Sequence, residues 1–146
     1  MLTHSEGSLK ILSRFVAIFS ILISTSGFSI KPAHNNTFNI DVWGYRSQHR
    51  SVPAETEKTV IDKSGSGRLT VEGRTNDLYT GVSGSGPVDL RKLVAKTAYL
   101  DISGSASVDI FASEKIVIDY SGFGRVRCHG PAKTEIRGDH QGRVNC

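Results

Sequence analysis

Apolar side chains return at fixed offsets from a small Ser-Gly motif along the second half of the chain. The motif starts at Ser64, Ser83, Ser103 and Ser121, with a degenerate copy at Asp139. Three residues before it stand Ile61, Thr80, Leu100, Ile118 and Ile136. Five after it stand Leu69, Val88, Val108, Val126 and Val144, and seven after it Val71, Leu90, Ile110, Cys128 and Cys146. Between those last two sets lie the polar residues Thr70, Asp89, Asp109, Arg127 and Asn145. Apolar, polar, apolar at a period of two is the pattern of a strand with one buried face. The buried positions are mostly β-branched, which favours strand over helix.

The motif recurs after 19, 20, 18 and 18 residues. A period near 20 is the signature of a stacked-repeat architecture. Each repeat reads as strand, Ser-Gly corner, strand, turn. Copies of one length can lie over one another in register, about 4.8 Å apart. The apolar columns then become ladders inside a coil. The pattern predicts a single all-β domain, a parallel β-solenoid of about five short rungs, roughly 24 Å tall at that spacing. Glycine at the corners supplies positive φ without steric cost, and serine bonds nearby backbone in a turn. A nucleophilic serine needs a base beside it, and no histidine occurs in the repeats holding Ser83, Ser85, Ser103 and Ser105. The corners therefore read as architecture.

Units such as Val82–Leu90 (VSGSGPVDL) and Ile102–Ile110 (ISGSASVDI), following an export-type N-terminus, resemble the putative autotransporter adhesin head GIN domain. The resemblance covers about Glu57 to Cys146. It implies a right-handed, parallel β-helix-like solenoid and a bacterial cell-envelope setting. It carries no catalytic residues to transfer.

The N-terminus differs from the rest. Lys10 and Arg14 precede the apolar run Phe15–Ile23, and small residues follow at Ser24–Gly27. This is the layout of a cleaved secretory signal peptide over residues 1–26. The run is shorter than the ~20 residues a bilayer-spanning helix needs; a short anchoring or buried helix is the other reading. Residues 27–56 then form an N-terminal strand or cap and a loop, and 57–146 the solenoid. Within them, Phe38–Tyr45 alternates and reads as a strand that either caps the first rung or begins an extra one. Its Trp43, the single tryptophan, is suited to covering the solenoid's end or to binding. Ser47–Thr56, polar and containing Pro53, reads as a loop. The sequon at Asn35–Thr37 means little in a chain of this resemblance.

Charge and candidate chemistry narrow the function. The net charge of +4 falls to +3 without residues 1–26, and both signs are interspersed, so no nucleic-acid partner is expected. A membrane enters only through the signal peptide. Cys128 and Cys146 share a column one rung apart, within disulfide reach; free thiols packed as small hydrophobes are the alternative. They lack the further ligands of a metal site. Asp62, Asp101 and Asp119 form one outward column and Asp89 and Asp109 another. Stacked carboxylates invite a cation, but Gly81, Arg137 and Arg127 interrupt them, so a solvated face of mixed charge is the plainer reading. Arg125, Arg127, Arg137 and Arg143 make the last rungs basic. Arg125, Arg127 and Arg143 are candidates, with Trp43, for binding an anionic glycan or lipid headgroup; charged edges that resist aggregation are the alternative. No catalytic, cofactor or metal residues are assigned. The expected function is an exported, non-enzymatic binding or adhesion module of the periplasm or cell surface, with a glycan or envelope protein as partner. One alternative is an assembly piece that self-associates through its open end. A more remote one is a polysaccharide-acting enzyme using paired carboxylates.

Overall fold

The computed structural model describes residues 36–54, 56–138 and 143–146. The signal peptide, Asn35 of the sequon and the degenerate corner at residues 139–142 lie outside them.

Nine strands make up the described chain: β1 (Thr37–Trp43), β2 (Gln48–Ser51), β3 (Thr56–Ser64), β4 (Leu69–Val82), β5 (Val88–Ile102), β6 (Ser107–Tyr120), β7 (Arg125–His129), β8 (Lys133–Gly138) and β9 (Arg143–Asn145). No helix occurs among the described residues. Every pairing is parallel. Each coil has a leading limb before its corner and a trailing limb after it. The leading limbs stack as β1, β3, the C-terminal halves of β4, β5 and β6, and then β8. The trailing limbs stack as β2, the N-terminal halves of β4, β5 and β6, then β7 and β9. The protein is thus an all-β, parallel β-solenoid of about five turns.

The register reproduces the sequence columns. Leu69 pairs with Val88, Val88 with Val108, Val108 with Val126, and Val126 with Val144. Ile61, Thr80, Leu100, Ile118 and Ile136 form the matching ladder on the leading limb. Ile61, Leu69, Leu78, Leu90, Leu93, Ile102, Ile110 and Ile118 are completely buried. Each such side chain contributes about 1.5–3 kcal/mol on leaving water. Because only the inward face is covered, these parallel strands alternate, unlike parallel sheets packed on both sides.

Three expectations are corrected. First, in the three central coils the limbs are not separated by turns, as they are between β2 and β3 and between β7 and β8. The 14 to 15 residues of β4, β5 and β6 run from one limb into the next. They bend where two neighbours both face outward, as at Arg91-Lys92 and at Lys96-Thr97, whose alternation is broken. The unequal repeat lengths are absorbed there: register shifts lie between Thr70 and Glu72 and between Leu90 and Thr97. Second, the polar stretch Ser47–Thr56 contains strand β2, in register with Leu69–Glu72. A parallel neighbour satisfies its backbone whatever its side chains, and Val52 alone anchors it in the core. Phe38–Trp43 therefore begins an extra coil. Third, Trp43 does not cover the end of the core. It is 75% exposed and sits in the corner column, in register with Ser64.

Most corner glycines have a different cause from the one expected. Positive φ occurs at Gly44 (97°), where the first coil turns, and at Gly65 (155°) in the first Ser-Gly corner, but not at Gly84, Gly104 or Gly122. There the corners lie flat on one another. A Cβ at Gly104 would collide with the carbonyl oxygen of Gly84, and one at Gly122 with that of Gly104. Coil-to-coil hydrogen bonds run through the same corners: Ser85 N donates to Gly65 O at 3.2 Å and Phe123 N to Gly104 O at 3.2 Å.

Candidate functional site

Outward residues of the leading limb form columns as regular as the buried ones. Four residues before each corner stand Asn39, Val60, Tyr79, Tyr99, Val117 and Glu135. Two before stand Asp41, Asp62, Gly81, Asp101, Asp119 and Arg137. The corner column itself begins Trp43, Ser64 and continues through Ser83, Ser103 and Ser121. Six stacked strands thereby present one sheet face whose side chains are fixed by register rather than by loops.

Tyr79 and Tyr99 stack with ring centroids 4.9 Å apart and planes 13° from parallel. The Lys58 ammonium lies 4.4 Å from the Tyr79 ring centre on the coil before, a cation–π contact. Both tyrosines remain over a third exposed. At the far end, Arg137 Nε and Nη2 donate to Glu135 Oε1 at 2.9 and 2.6 Å, and Lys115 Nζ lies 3.3 Å from Glu135 Oε2. The Arg137 hydrogen bonds, more than Lys115, hold the Glu135 carboxyl below its ordinary range.

Gly81 breaks the carboxylate column at its middle. Where its Cβ would stand, the nearest atom is Asp62 Oδ1, 2.7 Å away, so Asp62 leans over the vacancy. Two hollows meet at this notch. One is lined by Trp43, Asp62, Ser64, Gly81, Ser83 and Asp101. The other runs past Tyr79, Tyr99, Asp101, Asp119 and Arg137. Beneath the first, Lys63 occupies an inward position between Val42 and Val82 and is only 2% exposed. Its Nζ donates to Gly65 O at 2.9 Å, and burial pushes its pKa down.

The sequence candidates fall elsewhere or apart. Arg125 and Arg143 are exposed registered neighbours on β7 and β9. Trp43 belongs to the first coil, four coil steps or roughly 19 Å along the stack from Arg125. Arg127 lies 3.8 Å from Asp109 Oδ1, and His129 Nε2 lies 3.4 Å from the same oxygen. Asp89 is likewise engaged: Arg91 Nε and Nη2 donate to its two oxygens at 2.9 and 2.6 Å, and these bonds hold the carboxyl at about 2. The trailing-limb carboxylates Asp89 and Asp109 are therefore already engaged by neighbouring cationic or imidazole side chains. No three His, Cys, Asp or Glu side chains converge to hold a metal among the described residues. Cys128 and Cys146 are joined by a disulfide, with Cα atoms 4.5 Å apart, tying the last strand to β7.

Sequence reading missed the tyrosine stack and Lys63. The stack was available, because Tyr79 and Tyr99 fall at one offset from Ser83 and Ser103. Lys63 was available too, as a charge in a column otherwise filled by Val82, Ile102 and Tyr120. That the break at Gly81 is a depression on a flat face required coordinates.

No curated protein and no solved structure matches the chain. The family described as putative auto-transporter adhesin, head GIN domain, matches residues 8–132. That span takes in most of the coils described above, and the chain belongs to this family of head GIN domains.

Proposed function

We propose that the protein is an exported, non-enzymatic adhesion module of the bacterial envelope, acting at the cell surface or in the periplasm. The observation that carries this reading is the leading-limb face. Six strands in register hold outward side chains in aligned columns, a rigid display suited to recognising an extended surface. Membership of a family described by adhesin heads supports it and fits an envelope or extracellular setting. A cleaved leader over residues 1–26 and a right-handed coil belong to the same proposal. Adhesion of the purified mature chain to cells and glycan-coated surfaces tests it. Saturable attachment is expected; attachment no greater than that of an unrelated β-solenoid defeats it.

A second reading has its own observation. On the last coil Ile136 is 40% exposed, and no strand covers the outer edge of β8 or β9 among the described residues. An edge of this kind is a template for further pairing, so the chain would assemble through it. Sedimentation over a wide concentration range decides, since a strict monomer excludes this reading.

A further inference from the structure

We propose that the notch at Gly81 is a saccharide-binding subsite that takes one unit of a neutral or amine-bearing glycan, laid along the stack with a ring against Trp43. This rests on the adhesion reading and specifies its ligand.

Four observations converge on it. The missing side chain at Gly81 leaves a depression in the middle of a flat face, open into hollows on both sides. Asp62 and Asp101 flank it from the coils before and after, roughly 10 Å apart by strand spacing. Both are placed to accept hydroxyl or ammonium hydrogens from a unit between them, and Asp62 already leans into the notch. Trp43 stands at the rim, 75% exposed. Its indole has no ring or cation partner of its own among the described residues and offers an apolar face with a polar edge. Finally, Ser64, Ser83 and Ser103 border the same hollow, adding hydroxyls that both donate and accept. A few polar groups around an aromatic wall are the composition of a small-molecule site.

Charge chooses the class. Asp41, Asp62, Asp101 and Asp119 share the column, and Arg137 stands only at its far end. Anionic glycans are repelled there, while an amine gains the carboxylates and the indole face. The Tyr79 ring has one face on Tyr99 and Lys58 stacked over it, which leaves Trp43 as the freer aromatic at the notch.

The single tryptophan makes the site its own reporter. The mature chain is titrated with cellopentaose, chitopentaose and a heparin pentasaccharide while Trp43 fluorescence is followed. A saturable change is expected with cellopentaose or chitopentaose and none with heparin. Gly81→Val fills the notch with a strand-forming residue whose Cβ meets only the mobile end of Asp62. With an unchanged circular dichroism spectrum, it is expected to weaken binding at least about tenfold. Lys92→Ala, exposed at the outward bend of β5, is expected to change nothing. The proposal is overturned by equal affinity in Gly81→Val, by a response to heparin alone, by binding that vanishes with EDTA, or by no response to either uncharged or aminated sugar. If the wild-type chain still adheres to cells in any of these cases, the subsite is wrong and the adhesion reading survives; if it adheres to nothing, that reading is what failed.

Discussion

Each corner glycine is constrained by the coils it touches more than by its own torsion. Because a Cβ at Gly104 would run into the backbone of Gly84, Gly104→Ala must push apart adjacent coils that are also joined by corner hydrogen bonds. Such overpacking costs about 1–3 kcal/mol, and urea unfolding of the variant is expected to show a loss in that range. Ala106 is the one place where the neighbouring corner column carries a methyl group, buried in the core; a Cβ at Gly86 or Gly124 would collide with the backbone of the coil before, so the same loss is expected at those glycines. Lys63 makes the opposite case. Its ammonium is buried with one backbone acceptor, and its folded pKa lies below that of the unfolded chain. A lowered lysine pKa means the unfolded state binds the proton more tightly, so stability rises with pH across the interval between the two values. Lys63→Met is therefore expected to stabilise the protein at pH 7, by about 1 kcal/mol. Denaturant melts as a function of pH should show that gain shrinking toward pH 10.5, the ordinary lysine value.

The strands differ in how much holds them. β4, β5 and β6 have neighbours on both edges, whereas β9 is three residues long and pairs with β7 alone. The Cys128–Cys146 bond closes a segment with a sequence separation of 18, which in the chain-entropy picture contributes about 3 kcal/mol. Cys146→Ser is expected to free β9 first. Hydrogen exchange should show lost protection at residues 143–145 while Val88 and Val108 stay protected, and full protection of β9 in the variant would mean the strand needs no clip. That β2 forms from the polar run Gln48–Ser51 has the same origin. A neighbour's backbone recruits a strand wherever its length matches, and side-chain pattern cannot announce that in advance.

In a stack, each coil contacts only the next, so stability is close to a sum of nearest-neighbour terms. A void in a central coil breaks two interfaces, and a void in a terminal coil breaks one. Leu100→Ala, completely covered in the middle of the ladder, is expected to cost about 2–5 kcal/mol. Ile136→Ala, in the same ladder but 40% exposed on the last coil, should cost under about 1 kcal/mol. Equal losses in thermal or urea melts would show that the coils do not behave as near-neighbour units. The same one-dimensional logic gives the candidate site its rigidity, since Asp62, Gly81 and Asp101 are held by consecutive strands of one sheet.

Much of this was legible in one dimension. The ladders from Ile61 to Ile136 and from Leu69 to Val144, the register that pairs Val88 with Val108, and the coincidence of Cys128 with Cys146 in one column all follow from a repeat near 20 residues and a local period of two. Those are properties of spacing, and spacing is what a sequence records. Three-dimensional stacking alone decided the rest. It made the glycines a matter of close approach between coils, bent the strands where Arg91 and Lys92 face outward together, drew β2 into the sheet, left Trp43 in water and turned Gly81 into a notch. Each of these depends on what lies one coil away, and residues some 20 positions apart meet there only after the chain has wound.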